Sequence, residues 1–297
     1  MIVGNAISPM KTTVAAAVAQ LLLDQYSDSI GAWSVSRKLR TAYTGGCIKV
    51  REDGGDTVAD IGFDGNGDLD ETALLLHCGV NSGFVHTIYD QGLTTSNNGV
   101  QTTASSQPRI VLNGVIDIDN GKPAMFFDGV NDYLDCGTIN GGSKPANFSQ
   151  FLVASLSSTV GHQAFVGSSS SSTGDSVYLI QNPDSNDGKI RTQFSSTNKY
   201  RQTLTDAVLN VINTQGLTTI TYTSGDSNTD IYFNGGSLES FTTVNTATIS
   251  DGTEYKTSLG RLGEYTGGFF LNGYIQELIM FNVDNVSNRE GIRDNIN

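Results

Sequence analysis

This sequence predicts a mainly β chain, folded as a β-sandwich with a few short helices. Three observations support that. Charged residues make up only 16% of the 297 residues, well below the usual quarter. Gly, Ser, Thr and Asn are abundant instead, with 34 glycines, and these residues suit tight turns between strands. β-branched and aromatic runs recur between turn signals, and helical stretches are few. The length fits one large sandwich and is enough to build a proper hydrophobic core.

The elements follow in order. Residues 10–27 read as a helix: Val14, Val18, Leu21 and Leu22 fall on one face, and Ala15, Ala16, Ala17 and Ala19 add propensity. Residues 1–30 are expected to form an attachment segment ahead of a sandwich over 31–297. The helix either docks on a partner or symmetry mate, or packs on its own sandwich. Trp33, the only tryptophan, reads as a packing anchor. A second helix is expected over 70–78, capped by Asp70, with Glu71 in its first turn and Leu74, Leu75 and Leu76 on its buried side. Phe84 to Tyr89, Ala124 to Phe127, Leu217 to Thr223 and Tyr274 to Phe281 read as strands, the last one central. Ile231-Tyr232-Phe233 runs into Asn234-Gly235, a hairpin signal. Ser168 to Thr173 reads as a serine-rich loop. Ser287-Asn288-Arg289-Glu290 has the form of a capping box opening a last helix, with Ile292 and Ile296 one turn apart.

Composition also narrows the function. The formal net charge is -13, and only Arg37, Lys38 and Arg40 cluster. A nucleic-acid binder needs a basic face, so no nucleic acid is expected as partner. The run Val14 to Leu23 contains Gln20, is followed by Asp24, and is too short and polar to span a bilayer. It also lacks a small-residue cleavage site. No membrane insertion and no general secretion are expected. Cys47, Cys78 and Cys136 are odd in number and form no CxxC pair, so free buried thiols are expected. A Cys47–Cys78 bridge is the alternative.

A chain of motifs then becomes recognisable. Arg37 to Arg51 contains Tyr43-Thr44-Gly45-Gly46-Cys47-Ile48. It is followed by Asp60-Ile61-Gly62-Phe63, Gly83-Phe84-Val85 and Tyr89-Asp90-Gln91. Gln107-Pro108-Arg109, Asn120-Gly121-Lys122-Pro123 and Phe127-Asp128-Gly129 with Asn131-Asp132-Tyr133-Leu134 come next. Leu259-Gly260-Arg261 and Phe270-Leu271-Asn272-Gly273-Tyr274-Ile275-Gln276-Glu277 close the set. Over about residues 30–297 this resembles the concanavalin A-like, laminin-G-like jelly-roll modules of bacteriophage virion proteins. It is also similar to the catalytic sandwich of the B-type α-L-arabinofuranosidases. The resemblance implies a jelly-roll β-sandwich. For the arabinofuranosidases it also implies a site marked by an adjacent cysteine pair and a carboxylate in a Gly-Gly-Asp segment. No adjacent cysteine pair exists here; by placement that stretch falls near Gln163-Ala164-Phe165. The nearest equivalent of the carboxylate is Gly263-Glu264. A lone carboxylate does not run a double displacement, which needs two. No enzyme is therefore expected.

Other chemistry is sparse. His77, His86 and His162 form no metal-binding helix motif, and no nucleophile elbow or phosphate loop appears. Asp64, Asn66, Asp68 and Asp70 alternate as the ligands of a calcium loop begin. Leu69 and Leu75 stand where that loop needs glycine and glutamate. A polar turn leading into a capped helix is the favoured reading, and calcium is the alternative to no cofactor at all. Asp128, Asn131 and Asp132 are weighed the same way, with a plain turn favoured. Sugar sites pair aromatics with polar groups. Glu264 and Tyr265 are the ligand-binding candidates, and Tyr178, Tyr200 and Tyr255 also lie in polar surroundings. The expectation is a non-enzymatic virion protein, a head decoration or fibre or a tail-associated module, assembled in the host bacterial cytoplasm. It would be a homo-oligomer that contacts other virion proteins and cell-surface carbohydrate. A lectin-like receptor-binding module and an arabinofuranosidase-type glycoside hydrolase are the alternatives.

Overall fold

A computed structural model describes residues 20–93, 97–139, 146–158, 161–169, 176–182, 191–193, 200–203, 213–223, 230–236, 241–244, 256–262 and 269–296. At 176–182, 191–193, 200–203 and 241–244 the description is of the backbone. Among the described residues, nineteen strands form one continuous sheet that curls into a sandwich. Its first layer runs β3 (Val58–Ile61), β2 (Ile48–Glu52), β4 (Gly83–Ile88), β6 (Arg109–Leu112), β10 (Met125–Asp128), β21 (Asn272–Phe281), β12 (Phe148–Leu156), β17 (Gly216–Tyr222) and β18 (Asp230–Phe233). β1 (Ser29–Ser34) continues the β10 edge of β21. β7 (Val115–Ile116) extends β6, and β8 (Ile118–Asp119) pairs with β9 (Lys122–Pro123) as a separate ribbon.

The sheet turns its corner at β4. Its first residues pair with β6, while Thr87 and Ile88 pair with β5 (Gly99–Val100). The second layer continues from β5 through β11 (Leu134–Gly137), β20 (Lys256–Leu259), β13 (Gln163–Ser169), β14 (Ser176–Asn182), β15 (Arg191–Gln193), β16 (Tyr200–Thr203) and β19 (Phe241–Val244). All these pairings are antiparallel.

The main core lies between the layers and includes Trp33, Val50, Val85, Ile110, Phe127, Leu134, Phe148, Phe165 and Leu278. A second cluster lies on the opposite face of β12 and β21. There Phe151, Val153, Ile279 and Phe281 are covered by Leu22 and Leu23 of α1 (Leu22–Gln25) and Ile292 of α3 (Arg289–Ile296). Burial on both faces explains why β21 reads as a near-continuous apolar run, and its central position is borne out. β1 begins at Ser29, and Leu22 and Leu23 pack against β12 and β21. The rest of the predicted helix, residues 10–19, lies outside the described residues.

Other expectations are refined. α2 (Glu71–Cys78) forms as predicted, and the Asp70 carboxylate accepts from Ala73 N–H at 2.9 Å. Only Leu74 of its three leucines is buried; Leu76 is 84% exposed. Three consecutive residues span about 200° of helix, so they cannot all face one side. α3 starts one residue later than the capping box implied, since Ile292 N–H donates to the Asn288 carbonyl, which puts Asn288 at the cap. Asn234 and Gly235 take the positive φ values, 47° and 70°, of a tight turn. However, β18 pairs with β17 and β19 with β16, so the turn passes the chain across the sandwich instead of closing a hairpin. Ser168 and Ser169 of the serine run belong to β13; residues 170–173 lie outside the described residues. The three cysteines are free and buried, so no Cys47–Cys78 bridge forms. Trp33 is 1% exposed, and its indole N–H donates to the Asn97 carbonyl at 2.8 Å.

Candidate functional site

The recognisable motifs turn out largely to be structural clamps. Buried Asp90 accepts from the N–H groups of Ala32, Gly92 and Asn97 at 2.9, 2.8 and 3.3 Å. Burial raises its pKa, and these hydrogen bonds pull it back. Gln91 accepts from Leu39 N–H at 2.8 Å and donates to the Arg37 carbonyl at 3.1 Å. Tyr89 donates to Asp60. Arg37 forms a two-point ion pair with buried Glu277, at 2.9 and 2.8 Å, and reaches Asn295 in α3. His77 contacts the Val50 carbonyl at 3.1 Å and His86 contacts Thr87 at 2.8 Å.

One surface is different in kind. On the outer face of the first layer, cross-strand neighbours line up as Arg51, Phe84, Arg109, Phe126 and Tyr274. Arg51 is opposite Phe84, Phe84 and Phe126 are both opposite Arg109, and Phe126 is opposite Tyr274. Strand alternation produces this row, because Val50, Val85, Ile110, Phe127 and Ile275 next to these residues point into the core. The Arg51 guanidinium lies 4.9 Å from the Phe84 ring centroid, and that of Arg109 lies 4.6 Å from the centroid of Phe126. Phe126 and Tyr274 have centroids 5.1 Å apart. All five residues are half-buried.

Neighbours lock the row in place. Arg109 is held in a two-point pair by Asp117 at 2.8 and 3.0 Å. Arg51 donates to Gln107, Asp56 and the Ala104 carbonyl. A groove of about 380 Å³ lies over the row, lined by Arg51, Phe84, Arg109 and Phe126 and by Asp53, Asp128 and Asp132. Asp128 accepts from Val130 and Asn131 N–H, and Asp132 accepts from Asp128 N–H at 3.0 Å. These bonds make the turn that was expected there. Burial and the neighbouring Asp128 push the Asp132 carboxyl up to about 7. The groove thus joins fixed cations, aromatic faces and carboxyl groups, the mixture that sugar recognition uses.

Of the residues singled out from sequence, only some lie among the described ones. Glu264, Tyr265 and Tyr255 lie outside the described residues, as do the side chains of Tyr178 and Tyr200. The Asp64 carboxylate is occupied by the N–H groups of Asn66 and Asp68, at 2.8 and 3.0 Å, which hold its pKa below the ordinary value. Asp70 caps α2. Among the described residues no group of three or more His, Cys, Asp or Glu side chains is placed to hold a metal. The Asp64–Asp70 loop instead borders a cleft of about 470 Å³ with Tyr43 and Phe63. The outer row went unnoticed in the sequence, although its signal is present. Arg51, Phe84, Arg109, Phe126 and Tyr274 each occupy a polar or aromatic alternate position in an apolar strand.

No protein-family model matches the chain, and no curated protein matches it. Solved structures do. A GH54 α-L-arabinofuranosidase soaked with a cyclic sulfate inhibitor is 14% identical over 92% of this chain, with a TM-score of 0.60. An arabinofuranosidase complexed with arabinofuranosyl-α-1,2-xylobiose gives 14% and 0.58 over the same share. The chain spans 64% of each of those proteins. The carbohydrate-binding module of a Ruminococcus gnavus sialidase aligns over 51% of this chain and 83% of its own, at 13% identity and a TM-score of 0.39. The fold is thus a β-sandwich of the arabinofuranosidase type, as the sequence predicted. The expectation that the chain is not an enzyme is corrected by this comparison. The sandwiches it superposes on are those of glycoside hydrolases, and no finding supports a non-enzymatic role. That expectation rested on a missing cysteine pair, which bears on one arrangement of catalytic groups and not on others.

Proposed function

We propose that this protein recognises a glycan along the row Arg51–Phe84–Arg109–Phe126–Tyr274. The observation behind this reading is the register that sets two guanidinium groups and three aromatic rings side by side in one row, of which Arg51, Phe84, Arg109 and Phe126 line one groove. A sugar ring presents apolar C–H faces to aromatics and hydroxyl edges to charged groups. The row is pre-organised by Asp117 and Gln107, so little side-chain entropy is lost on binding. The sandwich type, shared with arabinofuranosidases, supports the same reading by analogy of fold. The virion-module motifs support a setting on the surface of a bacteriophage particle, assembled in the host cytoplasm among other virion proteins and copies of this chain.

One observation favours a second reading, cleavage of the bound glycan. Asp132, whose carboxyl is pushed up to about 7, shares the groove with Asp128 and Asp53, and glycoside cleavage uses two carboxyl groups flanking the scissile bond. A glycan array with the full chain and with Phe126→Ala tests recognition. Binding that falls at least tenfold in the variant supports it, and wild-type protein silent on every glycan overturns it. Incubating each bound glycan with wild type and Asp132→Asn then tests cleavage. Loss of the intact glycan with wild type alone supports it, and persistence with both overturns it.

A further inference from the structure

The outer row is closed at one end and open at the other. At the β21 end, the next cross-strand neighbour of Tyr274 is Ser155 of β12. The β8–β9 ribbon lies over that neighbour, and the Ser155 hydroxyl donates to the Asp119 carboxylate at 2.7 Å. The ribbon also covers the residue two places along β21, since the Gln276 amide donates to the Pro123 carbonyl at 3.3 Å. Ser155 and Gln276 are 2% and 6% exposed, so the row stops at Tyr274. At the other end Arg51 is opposite Val58 of β3. Val58 is 53% exposed, and the row runs out to solvent there. Arg51 and Tyr274 are four strand steps apart. At about 4.8 Å for each step, the row is roughly 19 Å long.

We infer that the row holds the end of an uncharged oligosaccharide, laid across the strands with its last ring against Tyr274 and the rest of the chain leaving past Val58. This rests on the glycan reading above and adds the form of the ligand. The length of the row gives a chain, because a single ring covers only part of it. The ribbon gives a chain end, because Asp119 and Pro123 bar a further ring beyond Tyr274. The charges give the class. Asp117 holds Arg109 at two points, and Asp56 accepts from Arg51 at 2.7 Å. Each guanidinium therefore already has its carboxylate, and Asp53 and Asp128 line the same groove. An acidic sugar would meet these carboxylates and find no uncompensated cation. Hydroxyl groups suit the same lining, because they donate to carboxylates and accept from N–H groups. Arg109 bonds Asp117 through Nε and Nη2, which leaves Nη1 to donate.

The test is calorimetric titration of the full chain, and of Phe126→Ala, with neutral gluco-, manno-, xylo- and arabino-oligosaccharides of one to six residues and with oligogalacturonides of the same lengths. In a neutral series that binds, affinity should rise at least tenfold from one residue to four and then level off. Tetrasaccharides of that series are then given a bulky biotin linker at either end or at both. One singly capped form should keep its affinity, and the other and the doubly capped form should lose at least tenfold. Affinity independent of length overturns the chain, and equal binding of both singly capped forms overturns the closed end. Oligogalacturonides that bind as tightly as the neutral series overturn the uncharged class. In these three cases a tenfold loss in Phe126→Ala leaves recognition on the row standing. Binding that Phe126→Ala does not change puts the sugar off the row and overturns both readings. No binding of any of these probes overturns the inference, while the array decides recognition itself.

Discussion

Asp132→Asn is expected to stabilise the protein at alkaline pH while leaving it unchanged at acid pH. Asp132 is 7% exposed, and burial beside Asp128 raises its carboxyl from 3.8 to about 7. In the unfolded chain this carboxyl ionises near pH 4. As pH rises from 4 towards 7, the unfolded state therefore releases its proton first, and the folded state loses stability. At about 1.4 kcal/mol for each tenfold change, the whole rise is worth on the order of 4 kcal/mol. Below pH 4 both states are protonated and the term vanishes. Asparagine keeps an oxygen to accept from Asp128 N–H, adds no charge, and removes the loss. The assay is urea unfolding of both proteins at pH 4, 6 and 8. The two should coincide at pH 4, and the variant should be more stable at pH 8 by several kcal/mol. A constant offset at all three pH values would refute the assignment, because it would mean Asp132 ionises in the folded state as it does in the unfolded one.

Other outcomes follow from the same geometry. Glu277→Gln leaves the Arg37 guanidinium buried without its ionised partner and should cost about 3–5 kcal/mol, read as a shift in the urea midpoint. A chain starting at residue 28 loses buried Leu22 and Leu23 and should fall by several kcal/mol, since each such side chain is worth about 2–5 kcal/mol. Gln150 is fully buried in β12 with neither amide atom paired, so Gln150→Met should raise stability by about 1–3 kcal/mol. Gly260→Ala should destabilise strongly in thermal melts, because φ is +80° and the new methyl would strike the Phe127 ring.

Much of the architecture can be read from local patterns. β21 announced its central place through Ile275, Leu278, Ile279 and Met280, because a strand covered on both faces needs no polar alternation. Asp70 announced α2, because an N-cap acts within one turn. What could not be read depends on partners distant in sequence. Asn234-Gly235 fixes a turn but not which strand follows, and β19 pairs with β16 rather than β18. Asp90 belongs to a recognisable motif, yet its partner Ala32, which it clamps, is 58 positions away. The row was hidden for the same reason: Arg51, Phe84, Arg109, Phe126 and Tyr274 are unremarkable one by one. Only the register of five strands makes them neighbours. The spacing of Asp64 and Asn66 fits a polar turn first and a calcium loop second, and the loop's own N–H groups that reach the Asp64 carboxylate are set by the fold.

The most direct test of glycan recognition on the outer row is a crystal structure of the full chain soaked with an oligosaccharide that scores on the array. The account predicts a sugar ring against Phe126 or Tyr274, with its hydroxyls within hydrogen-bond distance of Arg51, Arg109 or Asp128. Density for the sugar elsewhere on the protein, with this groove holding only water, would contradict it.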